Sequence, residues 1–158
     1  MLIRSLGRPG DLGWVVQAHG ELYASEFDWD TSFEALVAKI VGDYAVDHDP
    51  AREGAWIAEL DGHRVGCVFC VRENDTTAKL RVLLVHPDAR GHGAGNTLVD
   101  TCIEFAKSAG YERMALWTVD GLKSARKIYE AHGFELQEET PQRSFGHEVT
   151  GQLWARAL

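Results

Sequence analysis

The stretch from Leu83 to Asp100, LLVHPDARGHGAGNTLVD, constrains the fold of this chain more than any other. An apolar, β-rich run ends at Val85 and a turn follows at His86-Pro87-Asp88. Gly91, Gly93 and Gly95 then alternate before the pattern changes to helical spacing. A strand, a flexible loop and a helix N-terminus thus follow one another directly. The first amides of a helix lack internal partners and its dipole favours negative charge, so this junction is suited to an anion. Glycine admits positive φ and removes the Cβ that would hold an anion away. The loop ARGHGAGN, with Arg90 as charge partner, therefore predicts a pyrophosphate cradle; a tight connection that binds nothing is the alternative.

The rest of the chain alternates strands and helices without repeats or linker-like runs, as expected of one domain over residues 1–158. A short strand at Leu2 to Ser5 precedes a turn at Pro9-Gly10. Leu12, Val15, Val16, His19, Leu22 and Tyr23 then recur at helical spacing. A second helix starts at Thr31, with Glu34 completing a capping box. AWIAEL (55–60) and RVGCVFCVR (64–72) are joined by Asp61-Gly62, a hairpin signal, and KLRVLLV (79–85) extends the meander. A helix from Gly95 to Gly110, a strand at 113–118, a helix at 122–132 and strands around 134–138 and 148–157 complete an α+β order, β-α-α-β-β-β-α-β-α-β-β.

Composition removes several functions. A net charge of −8 argues against general affinity for nucleic acid or an anionic membrane, which needs clustered Lys and Arg. No apolar run approaches membrane-spanning length and the start lacks a signal-peptide core, so a cytoplasmic protein is expected. Cys67 and Cys70 spell C-x-x-C, but inside a strand they point to opposite faces and read as buried small hydrophobes. No spacing of His and acids suggests a metal set.

Among glycine loops, a P-loop would end in Gly-Lys-Ser/Thr, whereas Gly95 precedes Asn96-Thr97. A dinucleotide fingerprint would need a third glycine at the position of Asn96. Arg90-Gly91-His92-Gly93-Ala94-Gly95 instead matches [QR]-x-x-G-x-[GA], and with LLV before it and IYEAHGF after it the chain resembles the GNAT N-acetyltransferases over nearly its whole length. That resemblance implies a mostly antiparallel mixed sheet of about seven strands flanked by four helices, with a splayed strand pair that binds an acyl-CoA. It implies that backbone groups near Leu83, Leu84 and Val85 hold the pantetheine arm, and that Arg90, Gly91, His92, Gly93, Ala94, Gly95 and Asn96 hold the pyrophosphate. Ala125, Tyr129, Gly133 and Phe134 look like the family's A-x-x-x-Y-x-x-x-G-F segment, which gives Tyr129 the role of protonating the leaving thiolate. A ring packed on the inner stripe of its helix is the other reading of Tyr129. Many relatives carry Asn where this chain has Leu122, and Ser124 or Asp120 would then supply the missing contact to coenzyme A. HGELYASEFDWDTSFEALVAKI, KLRVLLV, LWTVD and SFGH further resemble the acetyltransferase half of bacterial MarR-type regulator/GNAT fusions, of which this chain would be a free-standing version.

The implied reaction moves an acetyl group from acetyl-CoA to a primary amine of a small molecule or peptide by direct attack, without a metal. A catalytically silent acyl-CoA-binding sensor is the alternative. Candidate acceptor-site residues are His19, Tyr23, Tyr44, Arg81, Trp117 and His147, although His19, on an apolar helical stripe, reads first as a satisfied core histidine. Lys79 and Arg81 either face the acceptor, binding a carboxylate or the 3′-phosphate of coenzyme A, or form a solvated strand end. Glu59, Glu73 and Asp75 are the acids nearest the expected site, but Glu73 and Asp75 fall in the apparent turn before KLRVLLV and read first as a solvated turn. The sequence is compatible with a monomer or a homodimer; the strand carrying Trp154 could form an interface, but a core-facing ring is the first reading of Trp154.

Overall fold

A computed structural model describes residues 1–158. Its elements are β1 (Leu2–Ser5), α1 (Asp11–Phe27), α2 (Thr31–Asp47), β2 (Gly54–Leu60), β3 (His63–Arg72), β4 (Thr77–Val85), α3 (Ala94–Ser108), β5 (Arg113–Val119), α4 (Lys123–Ala131), β6 (Glu135–Ser144) and β7 (His147–Ala157), with a 3-10 turn at Pro87–Ala89. The seven strands form one open sheet in the order β1-β2-β3-β4-β5-β7-β6. Every neighbouring pair is antiparallel except β4 and β5.

Period-two alternation divides the strands between two cores. Leu98, Val99, Cys102 and Ile103 of α3 and Tyr129 of α4 pack with Val68, Cys70, Leu80, Met114 and Leu116. On the other side Val15 of α1 and Val37 and Val41 of α2 pack with Ile57, Cys67, Phe69 and Leu84. Cys67 and Cys70 thus enter opposite cores, and all three cysteines are buried free thiols. Burial holds the Cys67 and Cys102 thiols above their ordinary pKa.

The β2–β3 hairpin turns at Asp61 and Gly62 with φ of 52° and 79°, the left-handed pair that an Asp-Gly turn supplies. Three boundaries differ from expectation. The N-cap of α2 is Asp30, whose carboxylate accepts from the Ser32 amide at 3.0 Å, rather than a Thr31–Glu34 box. Helix α1 continues past Tyr23 to Phe27. Strand β6 runs on to Ser144 through Pro141, which is tolerated because β6 is the sheet edge. Trp154 is only 5% exposed and donates its indole N–H to Gln152, so it belongs to the core rather than to a free interface strand.

The N-terminal elements are tied to the sheet by one carboxylate. Asp11, fully buried in the first turn of α1, accepts from the amides of Gly7 and Arg8, from both terminal nitrogens of Arg4 at 2.8 and 2.9 Å, and from Nε of Arg64 at 2.8 Å. Arg4 above all holds this carboxyl well below the usual carboxylate range. Its stabilisation is therefore present above the unfolded pKa and is lost only in strong acid. Asp11→Asn leaves Arg4 with Glu59 alone and removes the charged acceptor shared by Arg4 and Arg64, and at pH 7 it is expected to cost about 3 kcal/mol, lowering Tm by roughly 6–12 °C. A calorimetric Tm within about 2 °C of wild type would show that the network does not anchor α1.

Candidate functional site

The site begins with a defect in the sheet. Strand β4 pairs with β5 only from Thr77 to Lys79, opposite Arg113 to Ala115, whereas β5 stays with β7 from Arg113 to Val119. The pairing of β3 with β4 shifts between Phe69↔Arg81 and Cys67↔Leu84, so Val68 faces two residues, Val82 and Leu83. Val82 sits at φ 46°, a left-handed conformation that a β-branched side chain adopts at a cost of about 1–3 kcal/mol. The Cys67 thiol donates to the Val82 carbonyl at 3.2 Å. This bulge turns β4 away from β5, leaving its edge beyond Lys79 without a β5 partner.

On one side of the opening lies a groove of about 720 Å³, lined by Leu83, Leu84 and Val85 of β4, the glycine loop, and Gly121 to Ala125 at the start of α4. Two helix N-termini therefore face the same space. The amides of Gly91, Gly93, Ala94, Gly95 and Asn96 donate to no acceptor in the protein. Gly91 and Gly93 have φ of 88° and 73°, and a Cβ at either would meet nothing within 4 Å, so their missing side chains leave room for a ligand. Gly95 answers a different need: a Cβ there would stand 2.6 Å from Cδ1 of Ile128, so it lets α3 and α4 approach. Ser124 lines the groove beside Lys123, and Asp120 does not. His92 does not line it: its amide is bonded to the Ala89 carbonyl at 3.3 Å and its side chain is exposed. Arg90 lines the groove but is paired with Glu26 of α1 at 2.6 Å, so its charge is already partly neutralised.

Through the opening lies a second cavity of about 200 Å³. His19, Tyr23, Arg81, Trp117 and Tyr129 line it with Lys79, Trp29, Phe33 and apolar residues of α2. Tyr23, Leu83, Leu122 and Ala125 line both spaces and mark their junction. Lys79 and Arg81 are absent from the glycine-loop groove, which removes the 3′-phosphate reading for this pair. Burial raises the phenols of Tyr23 and Tyr129 well above their ordinary pKa, so both remain protonated at neutral pH. Tyr129 also packs edge-on to Phe134, at 5.8 Å between centroids, and so combines a core position with a cavity-lining one.

His19 is 1% exposed. Its Nδ1 lies 2.7 Å from the Val15 carbonyl, which can only accept, so Nδ1 carries the proton and Nε2 carries the lone pair. Nε2 is the one buried side-chain polar atom without a partner. Burial lowers the pKa to about 4, keeping the ring neutral.

Two expected acceptor residues lie elsewhere. Tyr44 stacks on His48 at 4.2 Å and against Phe69, filling the far end of the α2 core. His147 sits in the β6–β7 hairpin with Nε2 2.8 Å from the Asp28 carbonyl. The suspected acids are also misplaced: Glu59 is held by Arg4 at 2.6 Å beside β1, Asp75 pairs with Arg72 in a turn, and Glu73 is in that turn. No carboxylate lines the second cavity. The sequence reading missed the wall supplied by Glu26 and Phe27, because it ended α1 too early; the stripe continuing from Tyr23 to Phe27 was the available signal.

The open sheet, with its lone parallel pair splayed beside a strand–loop–helix junction of unpartnered amides, has the room and the donors for a long, phosphate-bearing ligand. Residues 15–134 match the family described as the acetyltransferase (GNAT) family, and the chain belongs to it. It is 34% identical over 92 residues to an uncharacterized N-acetyltransferase of Methanocaldococcus jannaschii, covering 54% of this chain and 41% of that one. The chain spans less than half the length of the first curated relatives it matches. Its fold is that of a ribosomal-protein-alanine N-acetyltransferase from Brucella melitensis, at TM-score 0.79, 19% identity and full coverage of both chains. An acetyltransferase structure from Salmonella typhimurium with its cofactor acetyl-CoA superposes at TM-score 0.78 and 17% identity, over 99% of this chain and 93% of that one.

The buried neutral His19 gives a pH signature of its own. Its folded pKa of about 4 lies below the ordinary 6.5, so the unfolded chain takes up the proton first as pH falls. Stability contributed by the neutral ring is complete above the unfolded value and is lost on acidification from 6.5 towards 4, at up to about 1.4 kcal/mol per pH unit. Chemical unfolding of His19→Gln across that window should show a shallower pH dependence than wild type; parallel curves would contradict the placement of His19.

Proposed function

We propose that this chain is an acetyl-CoA-dependent N-acetyltransferase acting on a primary amine of a small molecule or peptide by direct attack. The observation that carries this reading is the meeting of the phosphate-type groove and the second cavity at the splay beside Tyr23 and Leu83. Such a junction lets a thioester on one side meet an amine on the other without a covalent enzyme intermediate.

The chain's own groups suit each step. The free amides of Gly91 and Gly93 to Asn96, backed by two helix N-termini, hold the pyrophosphate. The unpaired edge of β4 at Leu83 to Val85 holds the pantetheine amides and offers a backbone N–H to the thioester oxygen. The amine attacks as its neutral form, the new N–C bond forms, and the C–S bond breaks. Tyr129 gives its phenolic proton to the departing thiolate, and the proton lost by the attacking nitrogen restores the phenol. Bound acetyl-CoA supplies the activated acyl group. Residues 1–158 act in this reading as one acyltransferase domain, in the cytoplasm and as a monomer or homodimer, similar to the transferase half of the MarR-type regulator fusions.

The lack of a carboxylate in the second cavity favours one other reading, a silent acyl-CoA sensor with no strong base for the amine. Calorimetry with acetyl-CoA, followed by an amine pool with free thiol monitored, separates the two. Heat with thiol release supports the transferase, heat alone supports the sensor, and no heat refutes both. Tyr129→Phe is expected to lower kcat by roughly 10²-fold while the Kd for acetyl-CoA stays constant; unaltered kcat would remove Tyr129 as proton donor. Gly93→Val, which forces a branched side chain into the left-handed region and into the groove, is expected to raise that Kd at least about tenfold.

A further inference from the structure

The second cavity is lined by two cations, Lys79 and Arg81, that form no ion pair or hydrogen bond with the protein; Glu73 acts on Lys79 only at longer range. Lys79 and Arg81 alternate on β4, so both side chains leave the same face, and both line the cavity half-buried. The acid whose charge reaches Arg81 is Asp43 of α2, and Asp43 is held by Lys39 at 2.8 Å. Burial depresses both cations, and at Lys79 the Arg81 charge adds to the effect. In a chain with 24 acidic and 16 basic residues, a cavity with two free cations and no carboxylate is a selective arrangement. A ligand carboxylate would relieve the repulsion and return the lost solvation, and the planar guanidinium can bind it in two-point fashion.

A second group in the same cavity also lacks its partner. His19 Nε2 is a buried acceptor that needs an N–H donor, and leaving it unmade costs about 1–3 kcal/mol. The remaining wall is aromatic and aliphatic, with Trp29, Phe33 and Leu36. A volume of about 200 Å³ equals roughly seven waters, so the occupant is small. Resting on the transferase reading above, we propose that the acceptor is a small amine that also carries a carboxylate, with the anion taken by Arg81 and Lys79 and an N–H taken by His19 Nε2.

The test pairs the common α-amino acids, β-alanine and γ-aminobutyrate with their decarboxylated amines, each offered with acetyl-CoA while thiol is measured, and acetyl-CoA binding is read calorimetrically in the same preparations. The inference expects turnover of at least one carboxylated member, with kcat/KM at least about tenfold above its decarboxylated twin. It expects Arg81→Gln to raise the acceptor KM roughly 30-fold or more, leaving the KM for acetyl-CoA unchanged. Lys79→Gln should move the same parameter to a lesser degree, and an unaltered acetyl-CoA KM in either variant certifies its fold. Equal or better turnover of the decarboxylated amines, or an unchanged acceptor KM in Arg81→Gln, overturns it. If acetyl-CoA binds but no carboxylated amine releases thiol, this inference fails while the binding half of the functional reading stands. If acetyl-CoA does not bind, the functional reading fails and takes the inference with it.

Discussion

The bulge at Val82 is the constraint from which the rest of the site follows. Two residues of β4 opposite one of β3 bend the strand out of its parallel pairing, and a β-branched residue held at φ 46° shows that local preference has been overridden. The packed cores above and below supply the restraint, with Phe69 and Cys67 on one face and Val68 on the other fully buried around the bend. The bulge also divides β4 by function. Residues before it, Lys79 and Arg81, belong to the smaller cavity; Leu84 and Val85, after it, belong to the glycine-loop groove; and Leu83 lies in both.

Charge is distributed to match. An acid-rich chain keeps its carboxylates at the periphery of the opening, as at Glu26 over the groove and Asp43 on α2, while the two spaces themselves present helix N-termini on one side and free cations on the other. Local field and net charge thus have opposite signs, which long-range repulsion alone does not prevent, because screening confines it to about 8–10 Å in ordinary salt. The Arg90–Glu26 pair spans the groove between loop and α1, and its partial exposure makes it a weak, exchangeable contact rather than a fixed wall.

Much of this was legible in the residues. Period-two and period-3.6 patterns located every strand and helix, Asp61-Gly62 marked its hairpin, and the spacing of Arg90 to Gly95 located the loop. What was not legible depends on contacts between distant segments. Arg90 meets Glu26 across 64 residues, and nothing near ARGHGAGN announces that partner. Valine is not a turn residue, so KLRVLLV reads as an unbroken strand although Val82 breaks it. Glu59, Glu73 and Asp75 lie at the ends of their strands away from the cavity, Tyr44 lies one helical turn beyond Ile40 of the cavity wall, and His147 lies at the hairpin that opens β7. His19 was ambiguous in sequence because it is two things at once, a core ring through Nδ1 and an unpaired acceptor through Nε2.

On the proposed reading, an acyl-CoA crosses the sheet where β4 splays from β5. A crystal structure of the chain with coenzyme A bound tests it most directly. The account predicts pyrophosphate oxygens within about 3.2 Å of the amides of Gly91 and of Gly93 to Asn96, the pantetheine lying between β4 and β5 beyond Lys79, and the thiol beside Tyr23 and Leu83. Coenzyme A lodged elsewhere, or β4 and β5 paired continuously past Lys79 in the complex, would contradict it.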